Sequence, residues 1–160
     1  MFDCYACNVT AQGDDAPRWE RIYADEHWRV AHAYDSSLLG WLVVLARRHV
    51  ESLADLTEQE AAALGPLLRS LSAALRAETG ASKSYVMLFA EHPRHQHLHI
   101  HVVPRMPDLP ADRRGPEIFH YLAALDREIV PEDQRNEFAA GLRKQLDLGG
   151  VSADSRSHPG

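Results

Sequence analysis

Residues 95–105 read HQHLHIHVVPR, and three histidines in this stretch, His97, His99 and His101, occupy alternate positions. Leu98, Ile100, Val102 and Val103 fill the places around them. Side chains two apart on a strand share a face. A strand over 96–104 therefore puts the three imidazoles on one side and Leu98, Ile100 and Val102 on the other, facing a core. Neighbouring histidines would lie roughly 6–7 Å apart and the outer two roughly 13 Å. One metal ion cannot take His97 and His101 together from a straight strand. A chelate must use an adjacent pair, which leaves the third ring for another task. A lone histidine on a strand face carries little meaning, but three in register opposite an apolar face point to chemistry.

The rest of the chain supplies a sheet for that strand. The stretches 28–34 (WRVAHAY) and 41–46 (WLVVLA) read as strands, the second buried on both faces. Residues 83–90 (KSYVMLFA) form a strand that pairs antiparallel with the histidine strand across the turn EHPRH. Residues 19–23 read as a short edge strand. Thr57 and Glu60 make a T-x-x-E capping box. Leu64, Leu67, Leu68, Leu71 and Leu75 follow on one stripe, which predicts a helix from about 58 to 79 with Gly80 as its stop. Pro66 predicts a kink or a local break in it. Pro107, Pro110 and Pro116 punctuate a long loop, Pro116 opens a short helix in EIFHYLAAL, and a last amphipathic helix covers about 132–148. The fold class is α+β: an antiparallel sheet of about five strands with one long crossover helix and C-terminal helices. Residues 1–148 are read as one domain and the polar stretch 149–160 as a disordered tail.

Residues 1–17 read as an irregular lead-in that contains the only two cysteines, Cys4 and Cys7. Two cysteines this close suggest metal or redox chemistry rather than a disulfide framework. A thioredoxin-like motif needs a helix after the first cysteine inside a βαβ unit, and the following NVTAQGDDAP looks turn-like, so zinc is the better reading. Zinc needs two further ligands. His49, at the end of a buried strand, is one candidate and His97 the other, with His92 or His95 as alternatives to His97. The net charge of −6 argues against a general nucleic-acid binder. The longest central apolar run, 41–46, is far short of a membrane span. No secretion signal is visible at the start, so a cytoplasmic location is expected.

The segment HLHIHVV resembles the histidine triad (HIT) family at all seven positions of its motif, His-φ-His-φ-His-φ-φ with φ apolar. The order of elements over roughly 1–105 is similar too: a strand in GWLVVLARRHV, a helix, then the hairpin that carries the triad. RMPDLPADRRGPEIF resembles a C-terminal extension of some bacterial members, which makes 106–148 such an extension. The resemblance implies a HIT-like fold, a homodimer and a nucleotide substrate attacked at its α-phosphate. His99, the central histidine, would be the nucleophile and form a nucleotidyl-histidine intermediate that water cleaves. His101 would sit beside the phosphate as proton donor or oxyanion partner. Arg105 would add positive charge there, unless it is a plain surface residue. Members with an N-terminal C-x-x-C imply a structural zinc held by Cys4, Cys7, His49 and His97, which ties segment 1–17 to the sheet. Dinucleoside polyphosphates, nucleoside phosphoramidates and adenylyl sulfate are the substrates expected.

Three positions depart from the family pattern. Many members carry a fourth histidine eight residues before the one at His49, where this chain has Trp41. An indole donates one hydrogen bond and accepts none, so Trp41 either alters the proton relay and narrows the pocket or simply fills the core. A glutamine often found four residues before the first triad histidine is replaced by Pro93. The loop bearing the ribose-binding acid is shorter by two residues, which leaves Asp35 as the candidate for that role. Two other functional classes compete with the covalent enzyme. One is a hydrolase whose triad histidines ligate a catalytic metal. The other is a nucleotide-binding or sensing module without turnover.

Overall fold

The computed structural model describes residues 4–93, 95–122 and 128–151. Its elements, in chain order, are α1 (Tyr5–Gln12), β1 (Tyr23–Ala24), β2 (Trp28–His32), β3 (Leu42–Ala46), α2 (Glu58–Thr79), β4 (Lys83–Met87), β5 (His99–Arg105) and α3 (Glu132–Leu148). The five strands form one sheet in the order β1-β2-β3-β5-β4, and every neighbouring pair is antiparallel. The α+β class and the antiparallel pairing of β4 with β5 are as the sequence predicts.

Alternation along the strands divides the sheet into two unlike faces. Val30, Leu42, Val44, Ala46, Leu98, Ile100 and Val102 form one face with Leu67, Leu71 and Leu75 of α2 and Phe138, Leu142 and Leu146 of α3. Leu71, Leu75 and Leu142 are wholly buried, and each such side chain contributes about 1.5–3 kcal/mol relative to exposure. The other face carries Ala31, Trp41, Val43, Leu45, His99, His101 and Val103. It is covered by α1 and by the 3-10 segment Gly115–Tyr121. One face thus holds the protein together while the other is free for chemistry.

The ends of α2 follow from its sequence. Thr57 Oγ1 accepts from the Glu60 N–H at 3.2 Å, and Glu60 Oε2 accepts from the Thr57 N–H at 2.8 Å. Gly80 closes the helix in the left-handed region at φ 73°, where a Cβ is disfavoured. The same Glu60 carboxylate takes two hydrogen bonds from Arg48, at 3.0 and 2.8 Å. The cap of α2 therefore anchors the turn after β3, in which His49 follows Arg48.

Several expectations need correction. The lead-in is not irregular: α1 begins directly after Cys4 because Ala6 and Val9, one turn apart, bury against the sheet. Residues 18–20 form a 3-10 turn, and the predicted edge strand shrinks to Tyr23–Ala24. α2 runs through Pro66 without the break that was one of the two expectations there. β4 stops at Met87, before Ala90 turns to φ 51°. β5 starts at His99, so His97 precedes the strand. Of the predicted tail, 149–151 are described, and Val151 packs on the core with its N–H on the Leu146 carbonyl. Residues 152–160 lie outside the described residues, as does the end of the expected helix in EIFHYLAAL.

His32 gives the fold an acid limit. It is 1% exposed; Nδ1 donates to the Ala33 carbonyl at 2.7 Å and Nε2 accepts from the Gly40 N–H at 3.0 Å. This pairing needs the neutral ring, and burial lowers its pKa to about 4. Because the folded value lies below the unfolded one, about 6.5, the stabilisation is complete above pH 6.5 and is lost as pH falls toward 4. The expected loss is about 3 kcal/mol. Denaturant midpoints should fall between pH 6.5 and 4 in wild type, and a flat profile there would contradict the buried neutral ring.

Candidate functional site

Two clusters occupy the equipped face, and His97–His101 belongs to both. The first joins Cys4 at the start of α1, Cys7 inside it, His49 after β3 and His97 before β5, with one ligand atom from each within 4.8 Å of all the others. Cys4 Sγ lies 3.4 Å from His97 Nδ1, Cys7 Sγ 3.3 Å from His49 Nδ1, and the two Nδ1 atoms are 3.2 Å apart. His97 Nε2 is 2.7 Å from the Ala46 carbonyl. A carbonyl only accepts, so the proton sits on Nε2 and the Nδ1 lone pair faces the cluster. Burial lowers the His97 pKa, which keeps that lone pair available. Nε2 of His49 lies 3.7 Å from Glu51 Oε1, a carboxylate behind the imidazole.

These four residues fit a tetrahedral cation. Zn–N and Zn–S bonds of about 2.0–2.3 Å set ligand atoms roughly 3.3–3.8 Å apart, and the contacts of 3.2–3.6 Å within the cluster agree. A redox reading of Cys4 and Cys7 loses its fold context as well. A helix does follow Cys4, contrary to the sequence reading, but all strand pairs are antiparallel and no βαβ unit exists among the described residues.

α1 is also held by a buried ion pair. Arg29 NH1 lies 3.0 Å from Glu20 Oε2, and both side chains are under a tenth exposed. Glu20 Oε1 accepts the Tyr5 hydroxyl at 2.6 Å, while Arg29 donates to Thr10 Oγ1 at 3.0 Å. Burial, then the Glu20 carboxylate, raises the Tyr5 pKa and keeps the phenol a donor.

The second cluster is a cavity of about 370 Å³ whose lining includes His99, His101, Asp35, Tyr34, Phe89 and Phe119. Tyr5 and Tyr34 form one aromatic wall, with centroids 5.4 Å apart, and Phe89 and Phe119 form another at 5.3 Å. Apolar walls around a few polar groups suit a small ligand with a flat ring. On the floor, His99 Nδ1 is 2.7 Å from the His97 carbonyl. That contact requires Nδ1–H and leaves the Nε2 lone pair for the cavity. His101 is 8% exposed, its ring perpendicular to His99 with centroids 5.0 Å apart. Trp41 Nε1 donates to His101 Nδ1 at 3.0 Å. Burial, reinforced by His99, lowers the His101 pKa to about 3, so it is neutral at working pH.

Residues 4–114 match the family described as "Scavenger mRNA decapping enzyme C-term binding", which is histidine-triad-like. The chain belongs to the histidine triad family. Its solved relatives share the fold across most of its length. A zinc-bound histidine triad family protein from Mycobacterium smegmatis is 24% identical, with a TM-score of 0.66 over 92% of this chain and 95% of that one. A hypothetical histidine triad nucleotide-binding protein from Sulfolobus tokodaii is 18% identical, with a TM-score of 0.63 over 89% and 93%. A uridylyltransferase is 18% identical, with a TM-score of 0.59 over 88% of this chain and 45% of that chain. No curated protein matches by sequence. At these identities the likeness to solved structures is one of fold.

All three triad histidines line the cavity, and His97 alone among them also joins the cysteine cluster. Asp35, half-buried, lines it too. Arg105 was expected to add charge at the phosphate, and Trp41 to narrow the pocket as a substrate-binding residue or else fill the core; neither lines the cavity. Trp41 is wholly buried behind His101 and meets that ring rather than the open space. Arg105 pairs opposite Lys83 at the last position of β5, beyond the triad. His92 and His95, the alternatives to His97, line the cavity, and His95 Nε2 lies 3.3 Å from the Tyr34 hydroxyl. Arg29 with Glu20 and the two aromatic walls were missed by the sequence reading. An arginine inside the WRVAH strand, flanked by Trp28 and Val30, was the available signal for the first. Among the described residues, no helix is long and apolar enough to cross a membrane.

Proposed function

We propose that the protein hydrolyses or transfers nucleotides at the α-phosphate through a covalent intermediate on His99. The observation that carries this reading is the 2.7 Å hydrogen bond from His99 Nδ1 to the His97 carbonyl, which fixes the tautomer a nucleophile requires. The nucleobase enters between the aromatic walls, Asp35 meets the ribose, and His101 donates to a phosphoryl oxygen. Dinucleoside polyphosphates, nucleoside phosphoramidates and adenylyl sulfate remain the substrate classes. The fold shared with a nucleotide-binding histidine triad protein and a uridylyltransferase supports the choice of nucleotide.

Zinc is the cation proposed for Cys4, Cys7, His49 and His97, by donor set and by likeness to a zinc-bound family member. Its part is structural: it holds α1 and the start of β5 in place. All four positions go to protein ligands, which leaves His99 outside the cluster and disfavours a metal-dependent hydrolase. The protein is proposed to be cytoplasmic and a homodimer, built as one domain over 1–148. Val86 and Phe89, exposed on and just after edge strand β4, support an apolar contact between copies. A sedimentation mass of one chain would remove the dimer.

Stereochemistry at phosphorus tests the mechanism. Two in-line displacements, each inverting the centre, give net retention when a chiral α-phosphorothioate nucleotide is hydrolysed. Direct attack by water gives inversion and would replace this reading. Tight mononucleotide binding with no turnover would instead favour the sensing module.

A further inference from the structure

Trp41 touches one chemical group of the site, the Nδ1 atom of His101, at 3.0 Å. An indole N–H can only donate, so His101 Nδ1 must present its lone pair. The neutral ring then carries its proton on Nε2. Both rings are buried, although one edge of His101 still borders the cavity: Trp41 is 0% and His101 8% exposed, and Phe119 packs edge-on against each, at 5.6 and 5.4 Å. Across the sheet, Val43 and Met87 flank His101. Protonating Nδ1 would set N–H against N–H in this enclosure and bury a charge beside His99, and both cost free energy. The low pKa of His101 agrees with this geometry.

Resting on the proposed nucleotidyl transfer, we infer that Trp41 is a positioning residue that locks His101 as a permanent neutral Nε2–H donor, and that the site therefore selects nucleotides whose leaving group departs as a stable oxyanion, such as phosphate or sulfate, over those that release an amine. A neutral imidazole can hydrogen-bond to developing negative charge, but surrendering its remaining proton would produce imidazolate. It stabilises the phosphoryl group without acting as a general acid. In the first step the His99 Nε2 lone pair forms the N–P bond. The P–O bond to the leaving group breaks, and its electron pair leaves on oxygen with no proton needed. In the second step a water oxygen bonds to phosphorus, the N–P pair returns to His99 Nε2, and the released proton passes to solvent. A P–N substrate differs at one point: the departing nitrogen must gain a proton as its bond breaks, and His101 cannot give one.

Adenosine 5′-phosphosulfate and adenosine 5′-phosphoramidate share the adenylyl group and differ in this respect. The wild-type protein should favour the phosphosulfate in kcat/KM by about 100-fold, the low end of what a positioned general acid is worth. Trp41→His, whose ring can accept a hydrogen bond from His101 Nδ1–H and so let His101 exist as an imidazolium that gives up its Nε2 proton, should shrink that preference by about tenfold. Because Trp41→His also changes the packing of a wholly buried site, long-range proton–nitrogen NMR of wild type provides an independent reading. It should show His101 Nδ1 unprotonated from pH 5 to 8, with mixed tautomers in Trp41→Phe. Equal turnover of both substrates, or a proton on Nδ1, overturns the inference while leaving nucleotidyl transfer intact. Turnover of neither substrate, nor of a dinucleoside polyphosphate, overturns both.

Discussion

Replacing His99 with asparagine should reduce turnover by about four to six orders of magnitude, on the scale seen when a covalent nucleophile is removed. The protein should keep its fold and its metal. Asparagine is close in size, and His99 is only partly buried on the equipped face rather than in the core. Its side chain holds one hydrogen bond, to the His97 carbonyl, and meets the His101 ring edge-on, so little stability is at stake. The expected signature is a split: activity lost, with thermal midpoint, zinc content and mononucleotide affinity near wild type. Steady-state kinetics together with metal analysis would read it. Residual activity within about tenfold of wild type would mean that attack on phosphorus comes from elsewhere.

Removing the metal ligands should do the reverse and strike stability first. Cys4→Ser with Cys7→Ser should abolish zinc binding. The folded state should then lose about 4 kcal/mol, the linkage expected when free zinc stands at a thousand times its dissociation constant. For a chain of this size that corresponds to a fall of roughly 8–16 °C in thermal midpoint. Hydrogen exchange should accelerate in α1, which would retain the Arg29–Glu20 pair and the burial of Ala6 and Val9 but lose its attachment to His49 and His97. The cavity should loosen as well, since Tyr5 lies between the two cysteines and forms part of its wall. A strong chelator applied to the native protein should reproduce these changes. An unchanged midpoint in the double variant would show that zinc contributes nothing to the fold.

The features legible in the sequence are the ones governed by local period. Alternation in HLHIHVV separates His99 and His101 from Leu98, Ile100 and Val102, and the structure keeps that division. The capping box at Thr57 and the stop at Gly80 fix both ends of α2. His97 shows where period fails. Alternation puts it in line with His99, but β5 begins two residues later, at His99, and the His97 ring joins Cys4, Cys7 and His49. α1 was hidden because its eight residues mix β-branched and turn-forming types, and its stability comes from long-range contacts with Ala31, Leu45 and Arg29. The aromatic walls draw on segments near residues 5, 34, 89 and 119, so no spacing within any one of them announces the cavity. Trp41 was marked by its sequence as a donor in place of a histidine. Only the fold shows which atom receives its hydrogen bond.

The most direct test is to mix the protein with an adenylylated substrate, quench without acid, and search the peptides by mass spectrometry for an added nucleotide. An adenylyl group on the His99 imidazole, absent from His99→Asn, is the result predicted here. Robust turnover with no adduct on that peptide at any time point would contradict it.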